Sequence, residues 1–320
     1  MGIEFTKMQA LGNDFVVINA LEQPFNLTQQ QIKAMADRHF GVGFDQMLII
    51  EPPPRKDVDF GYRIFNADGT EVEQCGNGAR CLALYLCEHG LCAKHKITLA
   101  TMTTTMHVTF LSHERISVNM GAPVYQVAKL VTTVAVDSHD YELGLISMGN
   151  PHAVLCVEDT ACVDVTALGS SIGKQASFQQ LGRKRPRLFP VIYSPARETR
   201  ADGDQRGALH CSPLETPSLL SLGQAQEISF FKNGVNVEFM QVVHAGLIQL
   251  RVYERGAGET LACGSGACAA VVYGRLQAKL AESVLVNVPG GQLEVSWAGG
   301  KAPVWLTGPA KIVFAGIWKE

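Results

Sequence analysis

Two short stretches decide the fold: CGNGARC at residues 75–81 and CGSGAC at 263–268. Each opens an apolar run of helical character, and each has a glutamate four residues before its first cysteine, Glu71 and Glu259. Upstream, GNDFVV at 12–17 is echoed by GNPHAV at 149–154. An internal repeat of this kind implies two halves of common design. The boundary falls near residues 120–140, giving a first domain over 1–125 that carries Cys75 and a second over 126–320 that carries Cys263.

Around these turns, strand signals dominate. VVIN, QMLII, YRIF, HVTFL, RISVNM, HAVLCV, VNVEFM, IQLRVY, VLVNV and QLEVSW are short, partly alternating runs. Ile3, Phe5 and Lys7 read as a strand that starts at once. Three segments read as helices: 28–38 capped by Thr28, 77–89 capped by Asn77 and stopped by Gly90, and 265–281 capped by Ser265. Few helices among many strands predict an α+β fold: a pseudo-symmetric pair of strand-rich domains, each wrapped around a central helix.

The halves differ in length. Asn13 to Cys75 spans 62 residues and Asn150 to Cys263 spans 113, so the second half carries about 51 more. The surplus lies at about 174–229, which holds RKRPR at 183–187, RETRADGDQR at 197–206 and five prolines. Polar and weakly periodic, it reads as a long surface excursion rather than a nucleic-acid patch.

Composition sets limits. With 320 residues, 47% hydrophobic and 18% charged, the chain has ample material for a core and is not a disordered protein. A net charge of −3 gives no basic excess for nucleic acid or an anionic membrane surface. No apolar run approaches a membrane span. No secretory leader is visible, so the expected location is the cytoplasm. The nine cysteines are therefore expected as free thiols. No C-x-x-C occurs, and no metal site is predicted.

The chemistry lies in the two cysteine turns. Glycines flanking the third residue let backbone N–H groups converge on one spot. A helix N-terminus adds unpaired donors and partial positive charge, which make an anion site and favour a thiolate. Two such turns, in pseudo-symmetric halves, face each other across a cleft. One thiolate can then remove a proton from a carbon while the other thiol delivers one to the opposite face, inverting that carbon. Helix N-termini aimed at an adjacent carboxylate would stabilise the carbanion. Nothing in the sequence calls for pyridoxal phosphate or another cofactor. Polar residues at strand ends and tight turns supply a pocket for an amino acid: Asn13, Gln46, Asn66, Asn150, His152, Asn236 and the Glu254–Arg255 pair.

The set KMQALGNDFVV, FNADGTEVEQCGNGARC, MGNPH, GVNVEF and YERGAGETLACGSGACA resembles the diaminopimelate epimerase family over about residues 3–160 and 230–318. The resemblance implies two similar α/β domains and cofactor-independent conversion of L,L- to meso-diaminopimelate, in lysine and peptidoglycan biosynthesis. It assigns Cys75 and Cys263 as the acid/base pair, with His152 and Glu254 at the positions that tune the thiols. Gly76, Asn77, Gly264 and Ser265 match the turns that hold the reacting carboxylate. Asn13, Gln46, Asn66, Asn150, Asn236, Glu254 and Arg255 match substrate contacts. The implied partners are a small amino-acid substrate and a second copy of the chain, with no nucleic acid and no membrane. Phe314 stands where some members have a tyrosine linked to dimer formation. Two rival readings remain: a two-thiol racemase of the proline racemase type, disfavoured because Asn77 and Ser265 replace the histidine that usually follows Cys-Gly there, and a non-catalytic protein whose cysteines act as a redox switch or bind an anion.

Overall fold

The structure, a computed structural model, describes residues 2–125, 130–174 and 234–319. Apart from Lys174, the excursion at about 174–229 lies outside the described residues.

The first half runs β1 (Ile3–Ala10), β2 (Asn13–Asn19), α1 (Gln29–Ala36), β3 (Gln46–Glu51), β4 (Phe60–Asn66), α2 (Gly76–Glu88), β5 (Lys96–Ala100), β6 (Thr105–Ser112) and β7 (Arg115–Asn119). The second runs β8 (Val131–Val136), β9 (His139–Ser147), β10 (Pro151–Cys156), α3 (Val165–Gly173), β11 (Asn236–His244), β12 (Leu247–Glu254), β13 (Gly258–Thr260), α4 (Gly264–Leu276), β14 (Ser283–Val288), β15 (Gly291–Ser296), β16 (Trp305–Gly308) and β17 (Lys311–Trp318). These are two strand-rich domains with few helices, an α+β architecture.

Strand pairing shows the internal symmetry. In the first half β1–β2 is antiparallel, β2–β3 parallel, β3–β4 antiparallel, β4–β5 parallel, and β5–β6–β7 antiparallel. In the second, β9–β10, β10–β11, β11–β12, β12–β14 and β14–β15–β16 repeat those senses in the same order. The halves join where β7 pairs with β16. Each also gains one outer strand, β8 on β9 and β17 on β1. A split at 125/126 would thus detach β17 from the sheet it completes. The symmetry extends to side chains: Arg63 holds Glu71 at 2.8 Å, and Arg251 holds Glu259 at 2.7 Å. Each pair ties the segment just ahead of a cysteine turn to the preceding strand, β4 in the first half and β12 in the second.

Each central helix is wrapped by its own strands: α2 by β1, β2, β3, β6, β7 and β17, and α4 by β9, β10, β11, β15 and β16. Residues 76–86 of α2 and 266–274 of α4 are buried, as expected for helices apolar on all sides. One apolar cluster contains both helices, so the main core runs through the molecule. A second cluster lies under α3 and a third under α1.

The helix boundaries shift from expectation in two respects: α4 ends at Leu276 rather than 281, and two of the caps move. Thr28 does cap α1, in a reciprocal capping box with Gln31. The other two helices are capped by Cys75 and Cys263 themselves, two residues before Asn77 and Ser265. The thiol supplies the acceptor that a cap requires, which propensity rankings based on oxygen side chains do not anticipate. Helix α3, capped by Asp164, is a further addition. Among the described residues no helix is long and apolar enough to cross a membrane.

Candidate active site

Cys75 Sγ accepts from Gly78 N at 3.3 Å, and Cys263 Sγ accepts from Gly266 N at 3.4 Å. Both cap residues are extended, at φ −146°, ψ 111° and φ −116°, ψ 111°. The turns meet at the join between the halves. A Cβ on Gly264 would lie 2.8 Å from Leu306 Cδ2 and 3.2 Å from Asn77 Oδ1; one on Gly76 would lie 2.7 Å from Met120 Sδ and 3.6 Å from Leu306 Cδ2. Leu306 on β16 is the buried wedge on which both turns rest.

Two glycines aim asparagines at this junction. Gly12, at φ +86°, precedes Asn13, and Gly149, at φ +97°, precedes Asn150; both occupy the left-handed region open to glycine. Asn13 Oδ1 accepts from Asn77 Nδ2 at 3.3 Å, and Asn150 Nδ2 donates to Ser265 Oγ at 3.3 Å. Ser265 Oγ lies 3.6 Å from Cys263 Sγ. Asn13 and Asn77 thus form one hydrogen-bonded pair at the Cys75 turn, and Asn150, Ser265 and Cys263 form the corresponding set at the other.

The remaining predicted residues sit at equivalent strand ends. Gln46 pairs with Asn66 in register, Nε2 donating to Oδ1 at 3.0 Å. In the second half Asn236 opens β11 and Glu254 ends β12. Asn236 Oδ1 accepts from the Arg255 backbone N–H at 2.9 Å, and Glu254 Oε1 accepts from Thr260 Oγ1 at 2.5 Å. Arg255 is exposed, and its Nη1 donates to the Gly234 carbonyl at 3.4 Å. The Glu254 carboxylate acts electrostatically on both thiols.

His152 is fully buried, with Nδ1 2.6 Å from Glu238 Oε1 and Nε2 2.9 Å from Asn150 Oδ1. Its reach to Cys263 thus runs through Asn150 and Ser265. Glu238 is the residue that sequence reading missed. It is fully buried two positions after Asn236 on β11, and a Cβ on Gly266 would lie 2.8 Å from its Oε1. The available signal was a carboxylate in an otherwise apolar strand, NVEFM. Arg80, fully buried on α2, was also missed; it interrupts an equally apolar helix.

The thiols depart from expectation in their acidity. Burial pushes Cys75 up to about 11, against the Gly78 N–H and the Arg80 charge, with Glu254 adding to the rise. Burial also pushes Cys263 well up, reinforced by Glu254 and Glu238 and opposed by Ser265 and Gly266. Helix termini do stabilise the thiolates here, but loss of solvent outweighs them. Among the described residues no group of three or more His, Cys, Asp or Glu side chains is arranged to hold a metal ion.

The family model described as "Diaminopimelate epimerase" matches residues 5–126 and 217–313, more than half of the chain. The match resumes at 217, inside the excursion expected to end near 229. Among solved structures, a hydroxyproline epimerase from Agrobacterium vitis, with bound trans-4-hydroxy-L-proline, is 14% identical with a TM-score of 0.65, covering 99% of this chain and 92% of that one. A phenazine biosynthesis protein of the PhzF family from Bacillus anthracis is 13% identical with a TM-score of 0.61, covering 100% of both chains. A probable proline racemase from Agrobacterium radiobacter, with bound carbonate, is 15% identical with a TM-score of 0.61, covering 98% and 92%. At these identities the likeness establishes the fold.

Proposed function

The chain belongs to the diaminopimelate epimerase family, a family of isomerases, and from that membership we propose that it interconverts L,L- and meso-diaminopimelate by two-thiol proton transfer without a cofactor. The observation that carries this reading is the meeting of two cysteine-capped helix N-termini, one from each half, on a single wedge residue, Leu306.

In this reading the substrate α-carboxylate lies between the turns, held by backbone N–H groups of Gly76, Asn77, Gly264 and Ser265. One sulfur, as thiolate, removes the α-proton. The other, as thiol, protonates the opposite face, and the roles exchange for the reverse reaction. Helix-terminal donors stabilise charge that moves onto the carboxylate as the C–H bond breaks. A neutral thiol in the empty site suits the acid role; the substrate's α-ammonium brings the positive charge that favours ionising the base. The Glu254 charge acts on both sulfurs, and His152 and Glu238 set the surroundings of Cys263. Arg255, with Asn66, Asn150 and Asn236, is assigned to the distal, charged end of the substrate, where a planar guanidinium suits a carboxylate.

Proton NMR in D₂O tests the proposal. L,L-Diaminopimelate should exchange its α-proton for deuterium in the presence of the protein, and L-proline and trans-4-hydroxy-L-proline should not. Exchange into proline alone would favour the second reading, a racemase of the proline type, which the two Agrobacterium structures make the natural competitor. No exchange into any of the three would leave a non-catalytic thiol protein.

A further inference from the structure

Arg80 lies on the second turn of α2 with no exposed surface. Among the described residues no carboxylate pairs with it, and its Nη1 has no hydrogen-bond partner. The titratable groups that act on it are thiols: Cys81 and Cys75 on its own helix and Cys268 on α4. An uncompensated buried cation is expensive to keep, so its retention calls for a negative charge that it serves.

Its other two nitrogens are engaged. Nε donates to the Pro309 carbonyl at 3.2 Å and Nη2 to Asn77 Oδ1 at 2.9 Å. Asn77 Nδ2 then donates to Asn13 Oδ1 at 3.3 Å, and Asn13 Nδ2 to Asp45 Oδ2 at 2.8 Å. A guanidinium can only donate and a carboxylate can only accept. The two ends of this chain therefore fix which way both amides point. Among the described residues the charges that act on Cys263 in the equivalent turn are the carboxylates of Glu254 and Glu238. Arg80 follows Cys75 by five residues at the head of α2, and its charge and that of Glu254 on β12 act on the Cys75 thiol in opposite senses, while Tyr62 of β4 donates to the Cys75 carbonyl.

We propose that Arg80 is a positioning residue of this site: it fixes the amides of Asn77 and Asn13, and its charge is the permanent buried counter-charge to a thiolate at Cys75. The proposal rests on the reading of Cys75 as an acid/base group. The two backbone-equivalent turns are then electrostatically unequal, with the thiolate favoured on the first.

Arg80→Gln keeps a donor for Asn77 and removes the charge; Arg80→Lys keeps the charge and loses the planar fork. Alkylation of each thiol by iodoacetamide in the substrate-free protein, followed from pH 7 to 10 by peptide mass mapping, separates the two contributions. Arg80→Gln should slow alkylation of Cys75 by about tenfold, equivalent to about one pH unit in its titration. Arg80→Lys should stay within about threefold of the parent, and Cys263 within about twofold in both variants. The proposal is overturned if Arg80→Gln leaves Cys75 unchanged, if Gln and Lys behave alike, or if both thiols change in parallel, as a merely structural role would require. Should Arg80→Gln give no soluble protein, Arg80→Met poses the same question without a polar group in the core. Because alkylation needs no substrate, a parent protein that exchanges no amino-acid proton would defeat the acid/base reading, while the alkylation ratio would still decide the role of Arg80.

Discussion

At the scale of the residue, the two cysteines carry the proposed chemistry. Cys75→Ala or Cys263→Ala should reduce the conversion of L,L- to meso-diaminopimelate by at least about 10³-fold, since inversion needs both proton carriers. Cys87→Ala, in the last turn of α2, should leave conversion within about twofold, and NMR rates for the three variants make the comparison. Asp14 offers a second residue-level test. Burial raises its pKa, but Arg38 and Lys7 overcome that and hold it at about 2. A carboxyl with a depressed folded pKa stabilises the protein above its unfolded value, near 4, and loses that contribution as pH falls through about 2. Thermal melts of the parent should drop over pH 4 to 2. Asp14→Asn should melt lower at pH 7, by about 2 kcal/mol of stability, and should show a flatter acid limb.

At the scale of the element, the cysteine helices work as a facing pair, and the glycines at their first positions set how closely they approach. The two contacts differ in compliance. Gly76 faces the thioether of Met120, a flexible side chain that can move aside. Gly264 faces Leu306 and the Asn77 amide, which Arg80 holds in place. Gly264→Ala should therefore lower the melting temperature by several degrees, corresponding to about 1–3 kcal/mol of overpacking, and cut exchange by at least about tenfold. Gly76→Ala should be the milder of the two in both measurements. Equal effects would show that the compliance of the neighbour does not matter here.

At the scale of the whole molecule, the ends of the long excursion are already joined. Val235 N donates to the Gly173 carbonyl at 3.4 Å, so the chain leaves and re-enters the second domain at one place. Closure entropy rises only logarithmically with loop length. Replacing residues 178–216, which end where the family match resumes, with a short turn should leave a folded protein that exchanges deuterium at the parental rate. A fall of more than about 10 °C in melting temperature, read by calorimetry, would mean that the segment packs on the domain. The outer strand β17 bears on assembly. It pairs only with β1 among the described residues, and Val313, Phe314 and Ile317 are 56%, 48% and 59% exposed. An apolar edge strand is a template for pairing with another chain, and we propose that it is the contact of a homodimer. Val313→Lys with Ile317→Lys should give a monomer in sedimentation velocity, against a dimer for the parent.

The sequence alone determined the two-half plan, the α+β class, the paired cysteine turns and the polar residues beside them. All of these are written in local pattern: glycines flanking a helix start, alternation along strands, and a motif repeated at a distance. Ten strand runs and the capping of α1 by Thr28 follow from that same local physics. Tertiary structure alone decided the rest. Whether Arg80 and Glu238 lie in a core or on a surface depends on which strands and helices close over them, and a single charged letter in an apolar run does not say. Pairing of β17 with β1 joins residues some three hundred positions apart, which no window along the chain can register. The protonation of the two thiols was decided in the same way. Their helix termini favour ionisation and can be read from the turn, whereas the burial that outweighs them depends on which elements close over the turns.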